Sequence, residues 1–227
     1  MLLRQLFDAQ TFTFTYIVAA DYGKEAIIID PVDRMVSTYI RLLKELRLSL
    51  KYTLDTHVHA DHITAAGKLR ELTGAITVLG AETSSQCVNK KVKDGEKILI
   101  DGLEITAIST PGHTNDSYCF YISGILFTGD TLLIRGTGRT DFQSGSASQE
   151  YNSIFNKLFT FPDNTVIYPG HDYSGNTTST IYEEKHFNPR LQVKNVSEYE
   201  TIMNNLNFPS PKLMDIAIPA NLKCGLG

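Results

Sequence analysis

Within THVHADH, the six residues from His57 to His62 hold His57, His59, Asp61 and His62. Imidazole and carboxylate are the side chains that suit zinc, iron and manganese. Three close imidazoles and a carboxylate also resist burial together unless a cation binds them. His113 follows in TPGHT, Asp130 closes GILFTGD and His171 lies in PGHDY. Five of the six histidines therefore take part, and His186 is left as a structural or surface residue. One loop histidine alone implies little, because a motif match in isolation is only a hypothesis. The whole set implies a metal centre, but the residues themselves do not say whether it holds one ion or two.

Each candidate sits in a loop just after an apolar β-run, and a rigid sheet edge is the usual support for such residues. TFTYIVAA at 13–20 and EAIIID at 25–30 flank the turn Asp21-Tyr22-Gly23-Lys24, a hairpin signal. Val36, Ile40, Leu43 and Leu46 recur at helical spacing, which predicts an amphipathic helix over 33–47. LKYTLDTH then runs into the quoted loop, and Ala65, Leu69 and Leu72 mark a helix that Gly74 terminates. Strands follow closely at 75–80, 96–100, 103–110, 117–123 and 124–130, with Asp101-Gly102 and Ser123-Gly124 as turns. Tyr151, Ile154, Phe155 and Leu158 mark a further helix before the strand TVIYPG. Helices at both ends of a strand-rich chain imply sheets covered by helices. No repeat, linker or low-complexity segment divides the chain, so residues 1–227 read as one domain.

Composition excludes several function classes. A net charge of −4 and a pI near 5.9 argue against a broad nucleic-acid face, which needs clustered Lys and Arg. Lys90-Lys91 stands near Asp94 and Glu96 and reads as solvated surface. No run approaches the roughly twenty apolar residues of a membrane span. The N-terminal MLLRQLFDAQTFTF has too short an apolar stretch for a signal peptide. Cys87, Cys119 and Cys224 show no CxxC spacing and suggest no disulfide framework. A cytoplasmic protein with reduced thiols is the expectation. Cys224, between Lys223 and Gly225, has neither a base nor an orienting partner beside it and is not expected to act as a nucleophile.

From residue 14 to about 175 the motif series resembles the metallo-β-lactamase fold superfamily. That resemblance implies an α/β architecture, an αββα sandwich with the metal at one edge of its two sheets. Fold alone does not choose the reaction. In a dinuclear zinc hydrolase, such as hydroxyacylglutathione hydrolase, His57, His59 and His113 would hold one ion. Asp61, His62 and His171 would hold the other, Asp130 would bridge them, and the metals would activate a water against a thioester.

A second resemblance covers more of the chain. RGTGRTDFQSG at 135–145, GHDYSGNTTSTIYEEKHFNPRL and the tail FPSPKLMDIAIPANLKCG are similar to the glutathione-type persulfide dioxygenases, or sulfur dioxygenases. Only 56 residues follow His171, too few for the helical C-terminal region of the glyoxalase hydrolases. The resemblance implies one Fe(II) per chain, bound by His57, His113 and Asp130 as catalytic residues. Two histidines and one carboxylate leave three coordination positions open for the substrate sulfur and O2. His59, Asp61, His62 and His171 would then orient these ligands or hold waters. Glutathione persulfide and O2 are the implied partners, sulfite and glutathione the products, and Arg139, Tyr173 and Arg190 the substrate contacts. An Arg grips a carboxylate with two parallel bonds, which Lys does not reproduce; Arg139 has a second option, tying its own loop to Asp141. The tail from about 175 to 227 would complete the pocket. Assembly is left open, a homodimer being one option. Two departures concern substrate fit: Thr137 stands where animal members carry Cys, and Ser174 follows HDY where His is common.

Overall fold

The computed structural model describes residues 1–209 and 213–226. Leu2–Asp8 (β1) pairs antiparallel with Thr13–Ala19 (β2), and β2 pairs antiparallel with Glu25–Ile29 (β3) across the expected turn. A 3-10 turn at Asp33–Met35 leads into Val36–Glu45 (α1), which crosses over so that Ser49–Leu54 (β4) lies parallel to β3. Ala66–Thr73 (α2) makes the same crossover to Ile76–Gly80 (β5). Gly74 ends α2 at φ 76°, the left-handed conformation that glycine adopts at helix C-termini without a Cβ penalty. Lys90–Val92 (β6) closes a sheet of order β1-β2-β3-β4-β5-β6.

The second sheet begins as an antiparallel meander of Lys97–Ile100 (β7), Leu103–Ser109 (β8), Tyr118–Ile122 (β9) and Ile125–Gly129 (β10). Ala147–Asn156 (α3) then crosses to Val166–Pro169 (β11), parallel to β10, and Ser179–Thr180 (β12) forms the edge. Ile181–Phe187 (α4), Val196–Asn204 (α5) and Met214–Asn221 (α6) complete the chain.

Strand periodicity sorts the core into layers, since alternate residues face opposite sides. Tyr16 and Val18 of β2 join Ile27, Ile29 and Leu54 against Ile105, Phe120 and Phe127 of the second sheet. Their neighbours Ile17 and Ala19 face the other way, onto Tyr39 and Leu43 of α1 and Leu69 of α2. On the far side, Cys119, Leu126 and Ile167 pack against Ile154 of α3 and Tyr199 and Met203 of α5. Both faces of each sheet are therefore covered, which is why residues 26–29 of β3 read as an unbroken apolar run. The result is the expected αββα sandwich.

Several details differ from the sequence reading. The N-terminal stretch forms β1, an edge strand with only Leu2 and Asp8 buried, so its pattern lacks the alternation that marks a half-buried strand. Lys90 and Lys91 belong to β6, a three-residue edge strand on which lysines are common protection. The helix around Tyr151 stops at Asn156, and Leu158 opens a 3-10 turn. The cysteine expectation needs correcting: Cys87 and Cys224 form a disulfide across a separation of 137 residues, with Cα atoms 5.9 Å apart. Spacing rules detect local pairs, whereas this one is made only when the chain end after α6 returns beside the loop after β5. Cys119 is a free, buried thiol, pushed up to about 12 by burial. Among the described residues no helix is long and apolar enough to cross a membrane.

Candidate metal centre and substrate pocket

The loops after β4, β8, β10 and β11 converge at one edge of the sandwich. Single ligand atoms of His57, His113 and Asp130 lie within 4.8 Å of one another, and His59, Asp61 and His62 form a second such group. The rings of His57 and His113 meet at 4.8 Å between centroids, edge to face. His171 bridges the groups, with Nε2 3.5 Å from Asp130 Oδ1 and 3.4 Å from Asp61 Oδ2. His186 stays outside, exposed, with its ring on Tyr182 and its Nδ1 bonded to the Tyr182 carbonyl.

The hydrogen bonds of each ring determine which nitrogen is free. Thr56 Oγ1 donates to Asp30 Oδ2 at 3.0 Å, so it accepts from His57 Nδ1, also at 3.0 Å. His113 Nδ1 donates to the Arg139 carbonyl at 2.7 Å, and His171 Nδ1 to the Phe12 carbonyl at 3.1 Å. In these three rings Nε2 keeps its lone pair for a cation, the usual arrangement around metal-bound histidines. His59 bonds Asp30 through Nε2 at 3.1 Å, and His62 bonds Asp61 Oδ2 through Nδ1 at 3.0 Å. Their other nitrogens, and Asp130 Oδ1, are buried without a hydrogen-bond partner among the described residues. Buried polar atoms are rarely left so, and several at one point mark a place for an ion. Two glycines allow this closeness: a Cβ on Gly170 would lie 2.5 Å from Asp130 Oδ1, and one on Gly138 2.7 Å from His113 Nδ1.

The local field favours the donor state at His57, His59, Asp61 and Asp130 and the protonated state at His62 and His171. Burial, aided by His59 and His113, holds His57 well below the ordinary imidazole range, and burial with His62 does the same for His59. Burial opposes charge on Asp130, yet His171, His113 and His57 outweigh it and leave the carboxyl below its ordinary range. Asp61 is lowered further, as His62 and His171 overcome its burial. Burial also disfavours charge on His62 and His171, but Asp61 and Asp130 respectively raise them. The neutral rings of His57 and His59 beside the ionised Asp130 and Asp61 offer nitrogen and oxygen donors to a divalent cation.

Supporting residues were harder to read from the sequence. Asp30, at the end of β3, is buried and accepts from Thr56 N, Thr56 Oγ1 and His59 Nε2. Thr13 Oγ1 reaches Asp61 Oδ2 at 3.2 Å, and Gln143 Nε2 donates to the Val58 carbonyl at 2.7 Å. Asp30 stands at a strand end like the ligands themselves, and that was the one available signal.

A cavity of about 540 Å³ opens from Asp61, His113, Asp130 and His171 towards Thr137, Arg139, Tyr173, Arg190 and Phe208. The three expected substrate residues all line it but differ in their engagements. Arg139 forks onto Asp141 at 2.7 and 2.8 Å and donates to the Pro209 and Phe208 carbonyls. Tyr173 is 67% exposed and stacks on His171. Arg190 donates to the Thr137 carbonyl at 2.6 Å through Nη1 and lies over the Phe208 ring. Among the described residues it forms no ion pair, although it is half-buried.

A family model described as the metallo-beta-lactamase superfamily matches residues 9–171. The mouse protein named persulfide dioxygenase ETHE1, mitochondrial, is 42% identical over 228 residues, covering 100% of this chain and 89% of the relative. The chain belongs to the persulfide dioxygenase family of the metallo-β-lactamase superfamily. The crystal structure of ETHE1 from Myxococcus xanthus superposes with a TM-score of 0.97 at 48% identity, covering 99% of this chain and 100% of that one. A metallo-beta-lactamase from Staphylococcus aureus, 24% identical with a TM-score of 0.90 over 100% of this chain and 73% of that one, shares the fold.

Proposed function

We propose that this chain is an iron-dependent dioxygenase that converts glutathione persulfide, O2 and water to glutathione and sulfite. The observation that carries the reading is likeness to persulfide dioxygenases over the full chain, including the segments that line the cavity beside His113 and Asp130. One Fe(II), held by His57, His113 and Asp130, would supply the redox chemistry between O2 and sulfur. The donor set suits it: two imidazoles whose Nδ1 atoms are engaged, leaving Nε2 for the site, and one ionised carboxylate with an oxygen unpartnered among the described residues.

The protein's own residues bind, orient and hold protons. Arg190, charged and without an ion-pair partner among the described residues, would take a glutathione carboxylate, while the Thr137 carbonyl fixes the direction of its fork. Tyr173 would flank the substrate at the rim, and Arg139 would shape the wall by tying its loop to Asp141 and the tail. A cavity of about 540 Å³ falls within the range of small-molecule sites. Asp61 Oδ2 receives bonds from His62 Nδ1 and Thr13 Oγ1, and in this reading Asp61 and His62 support the site rather than hold a second metal. His171 Nε2, close to both Asp61 and Asp130, would hold a proton there when no ion competes. The single-domain reading, with the tail beyond about residue 175 forming part of the pocket, and a cytoplasmic location belong to the same proposal. Cell fractionation tests the location.

Metal analysis of protein purified without added metal tests the site. About one iron per chain is expected. Two tightly held zinc ions, with thioester hydrolysis, would replace this reading with the dinuclear hydrolase.

A further inference from the structure

The metal loop is gripped by one residue far away in sequence. Asn221, the last residue of α6, is buried, and its Nδ2 donates to the carbonyls of His59 and His62, each at 2.8 Å. Its Oδ1 accepts from the Thr64 backbone N–H at 2.9 Å. A carboxamide offers two donors and an acceptor, and here all of them fall on the backbone of residues 59–64. That stretch contains Asp61 and both histidines of its group. Thr64 carries the grip inward, because its hydroxyl donates to Asp55 at 2.9 Å, and Asp55 lies 4.0 Å from His59 Nε2.

The segment that holds Asn221 is itself fastened. Cys224 is bonded to Cys87, the Cys224 carbonyl accepts from Gly67 N at 2.8 Å, and the Leu222 carbonyl accepts from Ser85 Oγ at 3.0 Å. Packing is close enough that a Cβ on Gly67 would lie 2.5 Å from the Cys224 carbonyl oxygen.

We propose that Asn221 is a positioning residue for the metal loop and that the Cys87–Cys224 disulfide is the clasp that keeps it in place. The inference rests on the loop binding a metal, not on the reaction catalysed there. The clasp is open to exchange because Cys87 is partly exposed, whereas Cys224 is 2% exposed. A small thiolate attacks Cys87 Sγ, and Cys224 leaves as a thiolate. A second small thiolate then attacks the small-molecule sulfur of the mixed disulfide and releases Cys87. Two small thiols are oxidised to their disulfide, the protein disulfide takes up two electrons, and the two protons lost by those thiols end on Cys87 and Cys224. The freed end no longer holds Asn221 against the loop.

The test titrates metal-free protein with Co(II), reading affinity and ligand geometry from its visible absorption, alongside the melting midpoint without metal. Asn221→Ala should bind Co(II) about 10- to 100-fold more weakly, the usual cost of losing an outer support, with an altered band shape at temperatures well below melting. Wild type reduced with dithiothreitol and desalted without air should shift the same way. Cys87→Ser should match it and ignore reduction. A lower melting midpoint with unchanged affinity and band shape in Asn221→Ala would make Asn221 merely structural. Should that variant fail to fold, reduced wild type decides, and an unchanged affinity overturns the proposal. Weakened Asn221→Ala with unaltered reduced wild type would remove the clasp and keep the positioning residue. No uptake by wild type would overturn the metal-site reading itself.

Discussion

Arg190→Ala isolates substrate recognition from the metal centre. Arg190 is the cavity-lining arginine whose charge has no ion-pair partner among the described residues, in contrast to Arg139 on Asp141 and Arg135 on Glu183 and Glu184. A charge-assisted hydrogen bond to a substrate carboxylate contributes about 1.5–3 kcal/mol. Its loss lowers kcat/KM roughly 10- to 150-fold, since about 1.4 kcal/mol is a factor of ten. The carboxylates of glutathione are remote from the reacting sulfur, so substrate and transition state lose the contact alike and the change appears in KM. Arg190 also holds the Thr137 carbonyl, and Gly138 N donates to the Asp130 carbonyl at 2.7 Å. If steadying that loop were its main role, iron content and kcat would fall instead. The assay is oxygen uptake against glutathione persulfide concentration, with iron measured on the same preparations. Arg190→Lys should recover part of the loss, since a point charge lacks the planar fork. A persulfide without carboxylates should not sense the change. Equal KM values for wild type and Arg190→Ala would refute the assignment.

The ligand roles separate by iron retention: His57→Ala, His113→Ala and Asp130→Ala should each lose iron and activity. Asp61→Ala and His62→Ala should keep most iron while activity falls about 10–100-fold; equal iron loss in both sets would mean that Asp61 and His62 themselves ligate metal. Glu150 gives a pH signature, because burial raises its pKa well above the ordinary range despite Tyr199 and Arg190. A raised folded-state pKa means that its contribution to stability is complete below the unfolded value of about 4.3 and is lost as pH rises through the folded one. Glu150→Gln should therefore gain melting temperature relative to wild type as pH increases from 4 to 8, and parallel curves for the two proteins would contradict the sign.

The legibility of the site followed from how each part is encoded. His57, His59, Asp61 and His62 lie in one contiguous loop, and His113, Asp130 and His171 each end an apolar run, so type and position were visible together. Burial on both faces of β2 and β3 made those strands plain as well. Asp30 escaped notice because a single carboxylate after EAIII has no local partner, and its bonds to Thr56 and His59 exist only once β3 and β4 lie side by side. Asn221 and the Cys87–Cys224 bond depend on α6 packing against a loop formed by distant sequence. β1 is an edge strand held mainly by its pairing with β2, which hydrophobic patterning does not reveal.

Oxygen uptake by the iron-loaded chain with glutathione persulfide, followed together with sulfite in the same vessel, tests the central claim most directly. The account predicts one O2 consumed for each sulfite formed, with both abolished in Asp130→Ala. Persulfide left intact with no oxygen consumed, while a glutathione thioester is hydrolysed at the same site, would contradict it.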